Sequence, residues 1–132
     1  MAFDIGQLKI YGLSRKLSSI SWKIYLSLDW KNKKILGDQF VEATDSIGAN
    51  LAEGYGRFHY LDRIKFFYNA RGSLLESKHW LDLLDERELI EVKELKIAFI
   101  SIVDNLFPQL NSFINSIYKI RNNLKNSSPP NT

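Results

Sequence analysis

Apolar positions recur along this chain at spacings of three and four. Ile10, Leu13, Leu17, Ile20, Ile24 and Leu28 keep that rhythm, which puts them on one face of an α-helix, so the pattern predicts a first helix over 6–29. Trp22, Leu26 and Trp30 make a second apolar line beside the first. The polar, basic stretch Lys31-Asn32-Lys33-Lys34 reads as a loop. A second helix is predicted over 36–54, with Phe40, Ala43, Ile47 and Leu51 as its main stripe. Gly54-Tyr55-Gly56 is expected to end it, because glycine accepts the left-handed conformation that closes helices. A third helix, over 60–85, carries Phe67, Ala70, Leu74, Ser77, Leu81 and Leu84. Asp62 lies in its first turn, where the helix dipole favours an anion. Gly72 lies inside it at a cost of about 1 kcal/mol relative to alanine, which points to close approach of another backbone. The fourth helix, over 90–124, carries Leu95, Phe99, Ile102, Leu106, Phe113, Ile117 and Leu124. Pro108 interrupts it and is expected to kink it, since an interior proline removes a backbone hydrogen bond.

Four amphipathic helices joined by short loops are antiparallel neighbours by default. The fold class is therefore all-α, an antiparallel up-down-up-down four-helix bundle. One domain spans 1–125, and the Asn/Ser/Pro-rich tail 126–132 is expected to be disordered. Composition agrees with this. Two of the three prolines lie in the tail, and 45% of the 132 residues are hydrophobic, a normal share for a packed core. Three Trp, six Tyr and eight Phe are more aromatics than a bundle of this size buries, so some are expected on a surface that meets a partner. Cysteine is absent, which removes disulfides and thiolate metal sites. The first residues, Met1-Ala2-Phe3-Asp4-Ile5, lack the pattern of a signal peptide. No run approaches 18 apolar residues, so no membrane span is expected and a cytoplasmic location is.

Charge is unevenly distributed. Residues 1–34 carry Lys9, Arg15, Lys16, Lys23, Lys31, Lys33 and Lys34 against Asp4 and Asp29, whereas residues 35–58 carry Arg57 against Asp38, Glu42, Asp45 and Glu53. The first helix is basic and the second acidic. This has two readings: electrostatic pairing of the two helices, within a chain or between copies, or a basic stripe offered to nucleic acid. Lys9, Lys16 and Lys23 are seven residues apart and so fall in one line, with Lys31, Lys33 and Lys34 at its far end.

One stretch is more specific than any periodicity. Ser46-Ile47-Gly48-Ala49-Asn50-Leu51-Ala52-Glu53-Gly54-Tyr55-Gly56-Arg57 is followed by Phe66-Phe67-Tyr68-Asn69-Ala70-Arg71-Gly72-Ser73-Leu74-Leu75-Glu76. In order and spacing these blocks resemble those of the four-helix bundle proteins encoded in intervening sequences of bacterial large-subunit ribosomal RNA genes. The resemblance implies an up-down-up-down bundle assembled into a five-membered ring. That family is in turn similar to the accessory variability proteins of diversity-generating retroelements, basic pentameric barrels that bind nucleic acid and the element's reverse transcriptase. The implied partners are thus further copies of the chain, RNA or DNA, and a reverse transcriptase. The chain departs from the family pattern at Glu42, where a basic residue is common, which makes the first helix the better candidate for phosphate contacts.

Asn50, Glu53, Arg57, Arg71 and Glu76 are the polar residues of the matched blocks. They could form a buried network tying the second helix to the third, with arginine bidentate to a carboxylate, or a catalytic carboxylate pair. The network is the better reading, because no nucleophile–His–acid set accompanies them. Gly54-Tyr55-Gly56-Arg57 follows a helix rather than a strand and so is not a phosphate loop. His59 and His79 are 20 residues apart, and Glu76-Ser77-Lys78-His79 supplies a Glu-x-x-His spacing only once, where di-metal bundles need it twice. No metal, cofactor or catalytic residue is therefore expected, and the chain reads as a binding or assembly module.

Overall fold

The computed structural model describes residues 8–126. Within them lie four long helices, α1 (Lys9–Ser27), α2 (Asp38–Tyr55), α3 (Tyr60–Glu86) and α4 (Lys93–Asn126), and no strand. Each helix packs on its neighbours in the chain, and α4 closes the cycle against α1. Antiparallel order is visible in the side chains: Phe67 meets Phe113 at a centroid distance of 5.0 Å, while Asp85, further along α3, pairs with Lys96, further back on α4, at 2.7 Å. The expected up-down-up-down bundle is thus the fold. The tail expected to be disordered lies outside the described residues, apart from Asn126, which ends α4.

The stripes read from the sequence line the core, except Leu124, which is 53% exposed. Leu17, Phe40, Ile47, Leu51, Leu74, Leu81, Leu84, Phe99, Leu106 and Leu110 are fully buried. Phe40 of α2 reaches Phe99 of α4 across the bundle at 5.4 Å. Four hydroxyl side chains are also buried, and each donates to a carbonyl of its own helix: Ser14 to Tyr11, Ser21 to Ser18, Thr44 to Phe40 and Ser77 to Leu74. Such bonds satisfy a buried hydroxyl without a partner on another element.

The connection after α1 is more ordered than a basic loop. Asp29 accepts from the Asn32 N–H at 2.8 Å and caps a helical turn, Trp30–Asn32, which runs into a π-helical turn, Lys33–Gly37, and then directly into α2. Leu36 and Gly37 are buried there. Placing Leu36 in the core, rather than the lysines around it, decides the backbone, and the wide π turn absorbs the extra residue.

Two further expectations are corrected, the left-handed close of α2 and the close approach at Gly72. Helix α2 continues through Gly54 to Tyr55, and among the described residues no glycine has a positive φ. Helix α4 is not broken at Pro108 and spans Lys93–Asn126. It is also the one described helix long and apolar enough to cross a membrane by length and composition, but its Phe99, Val103, Leu106, Leu110, Ile114 and Ile117 face the bundle core. Gly72 is not approached within the chain: a Cβ added there would meet nothing within 4 Å. Gly72→Ala is therefore expected to raise stability by about 0.5–1 kcal/mol through lower backbone entropy of the unfolded chain. Urea unfolding would show this as a higher midpoint, and a lower one would mean that the site is covered by another molecule.

Candidate nucleic-acid interface

Burial of Ile10, Leu13, Leu17, Ile24 and Leu28 fixes the rotation of α1 and leaves Lys9, Lys16 and Lys23 exposed. A seven-residue step advances about 10.5 Å and drifts about 20° around a helix, so the three lysine side chains leave α1 along a nearly straight line. Lys31 and Lys34 are exposed beyond its end. The ion pairs among the described residues are Glu53–Arg57, Asp82–Lys78 and Asp85–Lys96; none involves these five lysines. Lys33 differs, lying over the Tyr25 ring at 5.3 Å. Tyr25 donates to Asp38 at 2.9 Å, and that bond holds its phenol above the usual pKa of 10.0. Arg15 also stands apart from the line. It donates to the Tyr11 hydroxyl at 3.1 Å and, with Tyr11, Ser18, Asp45 and Gly48, lines a shallow groove between α1 and α2.

Asn50, Glu53, Arg57, Arg71 and Glu76 do not meet in one buried network. Glu53 and Arg57 pair with each other one turn apart, both about half exposed. Arg71 reaches the other way, to Asn111 of α4 at 2.9 Å, and Glu76 accepts from the Trp80 indole at 3.3 Å. Only Asn50 contributes to the α2–α3 link. It donates to the Ser46 hydroxyl at 3.0 Å, which lies 3.0 Å from that of Ser73. The polar contact between α2 and α3 thus falls to Ser46 and Ser73.

Residues 6–112, spanning α1, α2, α3 and more than half of α4, match the family described as 23S rRNA-intervening sequence protein. The chain belongs to that family. A crystal structure of a protein with unknown function from the S23 ribosomal protein family of Bacteroides thetaiotaomicron has a similar fold. The TM-score is 0.72 at 23% identity, covering 80% of this chain and 97% of that one. No curated protein matches the chain.

In this intervening-sequence protein the histidines stand apart. His59 precedes α3, with its ring against Phe58, and His79 rests against Trp80 at 4.9 Å. Among the described residues no group of three or more His, Asp or Glu is placed to hold a metal. Sequence reading missed a basic cluster around the start of α3, made of Arg57, Arg63, Lys65 and Arg71. Arg57 falls among the acids of 35–58, and Arg63, Lys65 and Arg71 are offset by acids later in α3. A window ending near Arg71 would have exposed them.

Proposed function

We propose that this protein is a non-catalytic, homo-oligomeric bundle, a ring of five in the form the family resemblance implies, that binds nucleic acid or a nucleoprotein through α1. A cytoplasmic location and a role as accessory to a reverse transcriptase, as in the accessory variability proteins, belong to the same reading. The observation that carries it is the line of exposed, unpaired lysines Lys9, Lys16 and Lys23, continued by Lys31 and Lys34. Lysines held apart from carboxylates keep their charge available to phosphates, and a ring would repeat the line in every subunit. Assembly is supported by apolar side chains left on the outside of α1 and the turn after it: Trp22 and Leu26 are about half exposed and Trp30 is 75% exposed. Exposed apolar surface of this kind marks contact with another macromolecule.

The test is binding of purified protein to labelled RNA and to a DNA duplex across a salt series. Affinity is expected to fall log-linearly with salt. Lys9→Glu, Lys16→Glu and Lys23→Glu together should flatten the log–log slope by about 3, with about 0.9 lost per phosphate contact, while light scattering shows an unchanged oligomer. A second reading has its own support: Glu42 and Asp45 are exposed on α2 and belong to none of the ion pairs among the described residues. If the triple variant dissociates the oligomer, the lysines mate with this acidic face of a neighbouring copy, and the protein is an interaction scaffold.

A further inference from the structure

The α2–α3 connection and the first turns of α3 carry cations laid on aromatic rings. The Arg63 guanidinium lies 5.2 Å from the Tyr60 ring centre. Arg57 and the Lys65 ammonium lie 4.9 and 6.0 Å from that of Phe66. Phe58 is 85% exposed, the most exposed of the large hydrophobic side chains described, and its ring meets the His59 ring edge-on at 5.2 Å. Beside it opens a cleft of about 400 Å³, lined by His59, Tyr60, Leu61, Asp62 and, from α4, Arg121. Arg57 is paired with Glu53, whereas Arg63, Lys65 and Arg121 take part in none of the ion pairs among the described residues.

An open aromatic ring, a cleft with an aromatic wall and cations around both are what a strand with unpaired bases needs. Aromatic rings stack on base faces, and cations follow the backbone. We propose that this end of the bundle binds single-stranded nucleic acid, with one base stacked on Phe58, the next in the cleft beside Tyr60, and phosphates on Arg63, Lys65 and Arg121. The Asp62 carboxylate repels phosphate and accepts from a base amino group, which turns the base rather than the backbone into the cleft. A duplex does not fit this chemistry, because its base faces are already stacked. The patch is made by the α2–α3 connection, the start of α3 and Arg121 of α4, and not by α1. The proposal shares the class of ligand with the α1 reading but does not rest on the α1 lysines.

The experiment measures binding of the full chain to a labelled oligouridylate and to an abasic strand of equal length and charge. The wild type is expected to prefer the strand with bases roughly ten-fold, the scale of one stacked base. Phe58→Ala should cut that preference several-fold, leaving only the share of the base beside Tyr60, and Phe58→Trp should keep it. Both substitutions are at an exposed side chain, so the fold tolerates them. Equal affinity for the abasic strand would overturn the proposal, as would a preference unchanged by Phe58→Ala. The α1 reading fails separately: Lys9→Glu, Lys16→Glu and Lys23→Glu would then leave both affinities unchanged.

Discussion

Phe40→Ala is expected to destabilise the bundle by about 3–5 kcal/mol, the range for removing a fully buried aromatic side chain. Phe40 is 0% exposed, and so is Phe99, whose ring it meets at 5.4 Å and a 46° tilt. The pair joins α2 to α4 across the bundle, so a missing ring leaves a void bounded by several helices. No one of them can move in to fill it without losing its contacts with the others. The backbone is held as well, because the Phe40 carbonyl accepts from the buried Thr44 hydroxyl at 2.8 Å. The loss therefore has two parts, the transfer of a large apolar group and the cavity left behind. Thermal unfolding should show a midpoint lower by about 10–20 °C for a domain of this size. Phe58→Ala removes the same ring from a site 85% exposed and should change stability by no more than about 0.5 kcal/mol. Should Phe40→Ala cost less than about 1 kcal/mol, the ring does not fill the centre of the bundle.

The difference between these two phenylalanines was only partly legible in the sequence. Phe40 could be placed because it opens a stripe with Ala43, Ile47 and Leu51, and periodicity reports which face of a helix turns inward. Phe58 falls between helices, where no period applies. Leu36 was placed at the start of the second helix but in no stripe, because the lysines before it read as loop, yet it is 2% exposed and sets the entry to α2. Polar pairing was less legible still. Asn50, Glu53 and Arg57 do share one side of a helix by spacing, but which of them meets another element depends on the rotation and separation of α2 and α3. At that crossing the side chains that meet are the hydroxyls of Ser46 and Ser73. Arg71 likewise finds Asn111, 40 residues away, a pairing that only the packing of α4 determines. The lysine line on α1 was legible for the opposite reason: exposed residues of one helix keep the geometry of that helix. Arg15, one residue before Lys16 and so about 100° around the helix from the line, lies instead on the hydroxyl and ring face of Tyr11, one turn earlier.

Gly54→Ala is expected to cost about 1–3 kcal/mol, the range for overpacking, and Gly56→Ala is not. The two glycines flank Tyr55 and look equivalent in sequence, as paired stop signals for α2. The structure separates them. A Cβ on Gly54 would lie 2.9 Å from the Phe66 Cβ, 2.9 Å from the Phe67 ring and 3.1 Å from the Arg63 carbonyl oxygen. The last of these is backbone and cannot turn aside. Helix α3 therefore crosses α2 at a distance that only glycine permits, and Phe67 behind it is almost fully buried against the core. Gly56 has φ −78° and ψ −8°, which any residue adopts, and its added Cβ would come no closer than 3.6 Å to the Ala52 carbonyl. Alanine there should be neutral, or stabilising by about 0.4–1 kcal/mol, because it restricts the unfolded chain. Urea unfolding of both variants decides between the two roles. If Gly56→Ala is the costly one, a left-handed cap closes α2 after all. If Gly54→Ala is costly, Gly54 sets the approach of α3. That approach also fixes the turn carrying Arg57 and Phe58, since Arg63 donates to the Arg57 carbonyl at 2.6 Å. Gly54→Ala should then weaken single-strand binding along with stability, although residue 54 is buried and touches no ligand.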